Sequence, residues 1–156
     1  MRIIIDTNLW ISFMLGRKIA TMRTLLTHPS LEIYVCRELL DEFYDVSSRE
    51  KIRKYIRPED LDDTLKLIHL YGKYVVIQTK SKSEIRDKKD LYLLSLADTI
   101  KANYIVTGDK DLLVLEKHNR TKIVTKTEFH EVIVALPSGG RCLPLQTVII
   151  YKYFYH

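Results

Sequence analysis

Four carboxylates occupy positions where acidic chemistry could be built. Asp6 ends the run Ile3-Ile4-Ile5, and Asp109 follows Tyr104-Ile105-Val106-Thr107 across Gly108, with Asp111 two residues further on. Asp90 opens a stretch of helical periodicity, and Glu42 lies inside another, one residue before Phe43. In an open α/β sheet ligands bind outside the carboxyl ends of the strands, where the crossovers diverge, so acids just after strands are the ones to inspect. Four carboxylates converging on one such edge repel one another unless a divalent cation neutralises them. Magnesium and manganese suit oxygen-only sites, keep several waters and take only one or two carboxylates directly.

Each acid also has a local reading. Asp6 suits the N-cap of a following helix. Glu38 and Asp45 lie on much the same helix face as Glu42, and periodicity does not choose among them. Asp90 suits an N-cap as well, and Asp87 competes with it from the charged stretch Arg86-Asp87-Lys88-Lys89. Asp109, in Thr-Gly-Asp-Lys-Asp, fits turn chemistry. What sets the four apart is their common placement on one predicted sheet edge.

The elements that must position them can be read from the apolar pattern. Ile3-Ile4-Ile5, Ile33-Tyr34-Val35, Val75-Val76-Ile77, Tyr104-Ile105-Val106-Thr107 and Lys122-Ile123-Val124-Thr125 are short β-branched runs without clean alternation. Such runs suit strands covered on both faces, as in parallel sheets. Between them Leu39, Phe43 and Val46 share a helix face, as do Leu61, Leu65 and Ile68, and Leu91, Leu94, Ala97 and Ile100. Pro58 before Glu59 and Asp60 is a good helix start, because proline needs no donor there and carboxylates favour the positive end of the dipole. Phe129 to Ile133 fits a last helix. Strands alternating with helices predict a three-layer α/β/α fold around a central parallel sheet of about five strands. One domain is expected over residues 1–136. Pro137-Ser138-Gly139-Gly140 then breaks the pattern, leaving 137–156 as a C-terminal tail with tyrosines at 151, 153 and 155. That tail, or the apolar face of Ile19, Met22, Leu25 and Leu26, would serve a homodimer contact; the alternative for the helix is packing on the core.

The composition narrows the class. With 156 residues, one domain is the default. A mean hydropathy of -0.11 excludes neither core nor solubility, and no apolar run approaches the roughly 20 residues of a spanning helix. The three isoleucines before Asp6 are too few for a secretory signal, so a cytoplasmic protein without membrane contact is expected. Cys36 and Cys142 lack the spacing of a zinc site and are expected to be free thiols. A formal net charge of +5 permits binding to a phosphate backbone without requiring it.

Three runs together resemble the PIN-domain family. Ile-Ile-Ile-Asp6-Thr7-Asn8 is similar to its first motif, a strand ending in Asp followed by Thr or Ser and Asn. Arg37-Glu38-Leu39-Leu40-Asp41-Glu42-Phe43 resembles the second, in which a helical Glu supplies an acid. The longest match runs from Arg86-Asp87-Lys88-Lys89-Asp90-Leu91-Tyr92 through Ala97, then through Ala102 to Thr107-Gly108-Asp109-Lys110-Asp111-Leu112-Leu113. It is similar to the family's third acid, its small-residue-rich helix and the strand ending Val-Thr-x-Asp. The resemblance covers residue 1 to about 133 and is closest to the prokaryotic toxins of toxin-antitoxin systems; the tail has no counterpart. It implies an endoribonuclease using Mg2+ or Mn2+ held by Asp6, Glu42, Asp90 and Asp109. Asn8 and Thr107 would support these by hydrogen bonding, and Asp111 or Asp87 would join an outer shell. Asp90 is preferred over Asp87 because it stands seven residues before Ala97, as the family spacing implies. An antitoxin protein is the implied partner.

Hydrolysis of a phosphodiester needs a nucleophile and stabilised charge, both of which a bound divalent ion supplies. In this expectation Asp6 and Asp109 hold the principal ion, Asp90 completes it or bridges to a second, and Glu42 orients the attacking water. Arg86, Lys88, Lys89, Lys101 and Lys110 are near the edge in sequence and would bind RNA phosphates without reading bases. Single-stranded or looped RNA is the expected substrate, since its phosphates and bases are accessible. Three rivals remain. A phosphatase forming an aspartyl phosphate would need an acid where Asn8 stands. A receiver domain has Lys126 after strand five, but would need an acid after strand three, where Gln78 follows Ile77. A PIN-like module that only binds RNA or a partner keeps the fold without the reaction.

Overall fold

The N-terminal isoleucines form the centre of the sheet. In a computed structural model, which describes residues 1–78 and 91–136, β1 (Arg2–Ile5) lies between β2 (Glu32–Val35) and β4 (Tyr104–Val106), parallel to both. Ile3 and Ile4 leave opposite faces of the strand, yet both are 0% exposed. Layers therefore cover both sides of the sheet, as the unbroken apolar run predicts.

Beyond β2 lies β3 (Lys73–Tyr74), and beyond β4 lie β6 (Thr121–Val124) and β5 (Lys117–His118), giving the order β3-β2-β1-β4-β6-β5. Every pair is parallel except β5 with β6, which is antiparallel. The predicted parallel sheet is thus present, with six strands among the described residues and one antiparallel edge. The third strand lies earlier than its apolar run suggests: Lys73 and Tyr74 pair with Tyr34 and Val35, while Val76 is exposed. The reason is that β2 ends at Val35; after Val75 donates to its carbonyl at 2.9 Å, no ladder remains to continue.

The helices are α1 (Thr7–Leu15), α2 (Ile19–Leu26), α3 (Arg37–Ser48), α4 (Glu50–Arg53), α5 (Pro58–Tyr71), α6 (Leu91–Ile100), α7 (Lys110–Leu113) and α8 (Lys126–Val134). Leu39 and Phe43 of α3 are buried, as are Leu94, Ala97 and Ile100 of α6. Pro58 opens α5 as expected, but the face that α5 buries is Asp60, Thr64, Leu67 and Ile68, with Leu61 and Leu65 only partly covered. Buried Asp60 is satisfied by a two-point pair with Arg57, both contacts 2.7 Å. Gly72 lets the chain leave α5 tightly, since a methyl there would stand 2.5 Å from the Ile68 carbonyl. Met22, Leu25 and Leu26 of α2 are buried in the core against α5, so that apolar face is spent within the subunit. Among the described residues no helix is long and apolar enough to cross a membrane.

Chain order reverses around β1. From β1 the chain moves to β2 and β3 on one side, then returns to the other side of β1 for β4. The crossovers after β1 and β4 therefore diverge, opening a crevice at the carboxyl ends of those two strands.

Candidate functional site

Asp6 leaves β1 at that crevice. Its backbone N–H donates to the Val106 carbonyl at 3.0 Å, tying the ends of β1 and β4 together. Trp10 supports the turn from below: its indole N–H donates to the Ile5 carbonyl at 3.0 Å, and the ring is fully buried. The Asp6 side chain is the N-cap of α1, accepting the Asn8 backbone N–H on Oδ1 at 3.4 Å. On Oδ2 it accepts the hydroxyl of Thr107 at 2.6 Å. The cap reading and the site reading of Asp6 thus describe one side chain in one geometry.

Thr107, the last residue before Gly108, is completely buried. Its hydroxyl also accepts the Asp109 N–H at 2.9 Å, so one side chain joins the two acids that follow β1 and β4. Asp109 in turn caps α7, accepting the Asp111 N–H at 2.7 Å. The turn reading of Asp109 is correct as far as the backbone goes. It also leaves the carboxylate beside Asp6.

Glu42 arrives from the other side of the crevice on α3, where Phe43 is the core anchor. Its Oε2 accepts the Thr7 hydroxyl at 3.1 Å and the Tyr92 hydroxyl in a shorter contact. Thr7 Oγ1 lies 3.4 Å from the Tyr92 oxygen and 3.5 Å from the Leu39 carbonyl, so α1, α3 and α6 meet at this carboxylate. Burial, and then the hydrogen bond to Glu42, push the Tyr92 hydroxyl well above its ordinary pKa, which keeps it a donor.

The electrostatics centre on Asp6, which is 4% exposed. Burial raises its carboxyl above the ordinary value, the Thr107 and Asn8 hydrogen bonds pull it back, and the negative charges of Glu42 and Asp109 raise it again. Of the sequence-predicted acids, Glu42 and Asp109 are thus brought within electrostatic reach of Asp6. Asp90 and Asp87 lie outside the described residues, as do Arg86, Lys88 and Lys89. Among the described residues no group of three His, Cys, Asp or Glu side chains is placed to hold an ion together. The oxygen-only donor set nevertheless fits a small hard cation, which takes one or two carboxylates and fills its shell with water.

The supporting residues divide. Thr107 bonds Asp6 directly, whereas Asn8 is exposed and acts through its backbone N–H. Asp111 is half-buried beside Asp109. Exposed Lys110 follows Asp109, at the same edge. Lys101 does not belong there: it follows the end of α6, ahead of β4, at the opposite edge from the carboxylates. Cys36 is buried and unoxidised, its thiol pushed up to about 12 by burial; Cys142 lies outside the described residues.

Two participants escaped the reading of spacing. Thr7 was visible as part of Asp6-Thr7-Asn8, but its contact with Glu42 spans 35 residues. Tyr92 is the one aromatic in Leu91–Ile100, a helix otherwise of aliphatic and small polar residues apart from Asp98. That isolation was the only signal.

Comparison with known proteins agrees with this architecture. No curated protein matches the chain. Among solved structures it is similar to that of VapBC2 from Rickettsia felis bound to a DNA fragment from their promoter, with 16% identity and a TM-score of 0.53. The match covers 80% of this chain and 98% of that one, and at this identity it shows a shared fold. A family model described as PIN domain matches residues 2–111, well over half of the chain, and the protein belongs to the PIN domain family.

Proposed function

We propose that the protein is a divalent-metal-dependent endoribonuclease that hydrolyses phosphodiester bonds in single-stranded or looped RNA. We further propose that it is the cytoplasmic toxin of a toxin–antitoxin pair, with residues 1–136 as the nuclease domain. The observation that carries the chemistry is the environment of Asp6. It is a buried carboxylate at the divergence of two crossovers, acted on by two neutral donors and by the like charges of Glu42 and Asp109. Like charges gathered in this way call for a counter-charge, which Mg2+ or Mn2+ would supply. The toxin reading is supported by membership of the family and by the likeness to VapBC2.

In this reading Asp6 and Asp109 hold the ion and Asp90 completes the set. When bound, the ion supplies a coordinated water of lowered pKa and polarises a phosphate oxygen. Thr107 fixes Asp6 and Asp109 in register, so both acids keep their geometry when RNA enters. Glu42, set back on α3, orients the attacking water. Lys110 meets a phosphate flanking the cut, with Arg86, Lys88 and Lys89 extending the basic track.

Purified protein is expected to cleave single-stranded RNA in magnesium or manganese, to leave 5′-phosphates, and to stop with EDTA. Asp6→Asn is expected to abolish cleavage while the circular dichroism spectrum stays that of a folded protein. Unchanged cleavage by that variant would remove Asp6 from the site. A second reading, a PIN-like module that binds RNA or a partner without cutting, draws on the lack of a three-acid group among the described residues. It predicts RNA binding by gel shift with no metal-dependent product.

A further inference from the structure

The Glu42 carboxylate is divided by its neighbours. Both hydroxyls that reach it, Thr7 from α1 and Tyr92 from α6, donate to the same oxygen, Oε2. Oε1 has no hydrogen-bond partner among the described residues. Two donors from two different helices onto one oxygen fix the side-chain torsions far better than one, because satisfying both leaves a narrow range of carboxyl orientation. Thr7 is itself rigid: it is completely buried, β-branched, and sits directly after Asp6 in the first turn of α1. Tyr92 is the longer and more directional arm, reaching α3 from the opening turn of α6. Its phenol is a donor whose proton burial makes hard to remove.

We propose that Tyr92 is a positioning residue for Glu42: with Thr7 it anchors Oε2 so that Oε1 alone is presented to the attacking water. This rests on the nuclease reading above.

Tyr92→Phe keeps the ring and removes only the hydroxyl. On a fluorogenic RNA oligonucleotide with saturating Mn2+, kcat is expected to fall about 10- to 100-fold with KM unchanged within about twofold, the loss typical of a misplaced reacting group. Glu42→Gln is expected to fall at least as far, and Tyr92→Phe/Glu42→Gln no further than Glu42→Gln alone, since Tyr92 acts only through Glu42. A wild-type kcat for Tyr92→Phe, or multiplied losses in the double variant, overturns the proposal. A second measurement needs neither metal nor activity. In metal-free protein labelled with 13C-glutamate, the Glu42 carboxyl resonance, assigned by its disappearance in Glu42→Gln, is expected to shift in Tyr92→Phe while other glutamate resonances stay. If it does not move, Tyr92 does not position Glu42. If wild-type protein fails to cut RNA while this resonance shifts, the nuclease reading falls and the positioning of Glu42 stands.

Discussion

Asp6 caps α1 with one oxygen and takes the Thr107 hydroxyl with the other, yet it is buried among like charges, and these facts act on stability in opposite directions. Its folded pKa is raised above the ordinary 3.8 by burial first. The native state therefore holds the Asp6 proton more tightly than the unfolded chain does. Above the raised value, where both states are ionised, the group destabilises the fold, and stability is regained as pH falls through that value towards 3.8. Asn is as good an N-cap as Asp and keeps an acceptor for Thr107, but carries no charge. Asp6→Asn is accordingly expected to stabilise the metal-free protein by about 1 kcal/mol, raising Tm by roughly 2–4 °C. Thermal melts in EDTA at pH 7.5 test this; a lower Tm would mean that the charged cap outweighs the burial. Asp6 and Asp109 could be singled out because each follows a strand, whereas Glu42 came only from the family resemblance, since Glu38 and Asp45 share its helix face. Thr7 and Tyr92 were not legible, because their contacts with Glu42 join residues 35 and 50 positions apart, and no local period encodes that.

At the scale of the elements, what could be read was what local chemistry dictates. The β-branched runs became β1, β2, β4 and β6, and Pro58 began α5. The third strand lay two residues early because pairing with the end of β2, not apolarity, sets its limits. The β5 edge escaped altogether: it is two polar residues, Lys117 and His118, flanked by Glu116 and Asn119 with φ of 54° and 53°, a left-handed backbone that their side chains do not announce. The capping box of α8 is the clearest local signal. Thr125 accepts the Glu128 N–H at 3.2 Å, and Glu128 accepts the Thr125 N–H at 2.7 Å. Thr125→Ala removes the hydroxyl half of the box while the backbone N–H to Glu128 stays, and is expected to cost about 1 kcal/mol, read as a Tm lower by roughly 2–4 °C. Because α8 contributes none of the acids, RNA cleavage at 25 °C is expected to stay at the wild-type rate. A variant that melts normally would show that Phe129, packed 5.7 Å from the Tyr104 ring, anchors α8 without help from its cap.

For the whole molecule, the pH dependence of stability brings these local terms together. His28 follows α2, and its Nδ1 accepts the Ser30 N–H at 3.2 Å, a bond that a protonated nitrogen would lose. His130 is buried in α8. Burial lowers both below the ordinary 6.5. Above pH 6.5 both histidines are neutral in either state and contribute nothing to the difference. Below it the unfolded chain takes up protons that the native fold refuses, so stability declines until pH passes the lowered native values. Asp6 acts in the opposite sense, since its raised value means that the native fold holds the proton more tightly than the unfolded chain. In metal-free protein Tm is therefore expected to fall between pH 7.5 and 5.5, and His28→Gln with His130→Gln is expected to flatten that slope. A Tm that is flat or rising over this interval in the wild type would show that the two imidazoles protonate within the folded state. On the nuclease reading, divalent metal would add a separate dependence, because protonating the acids competes with the ion. Repeating the melts with Mn2+ should then steepen the decline in the wild type and leave the slope of Asp6→Asn unchanged.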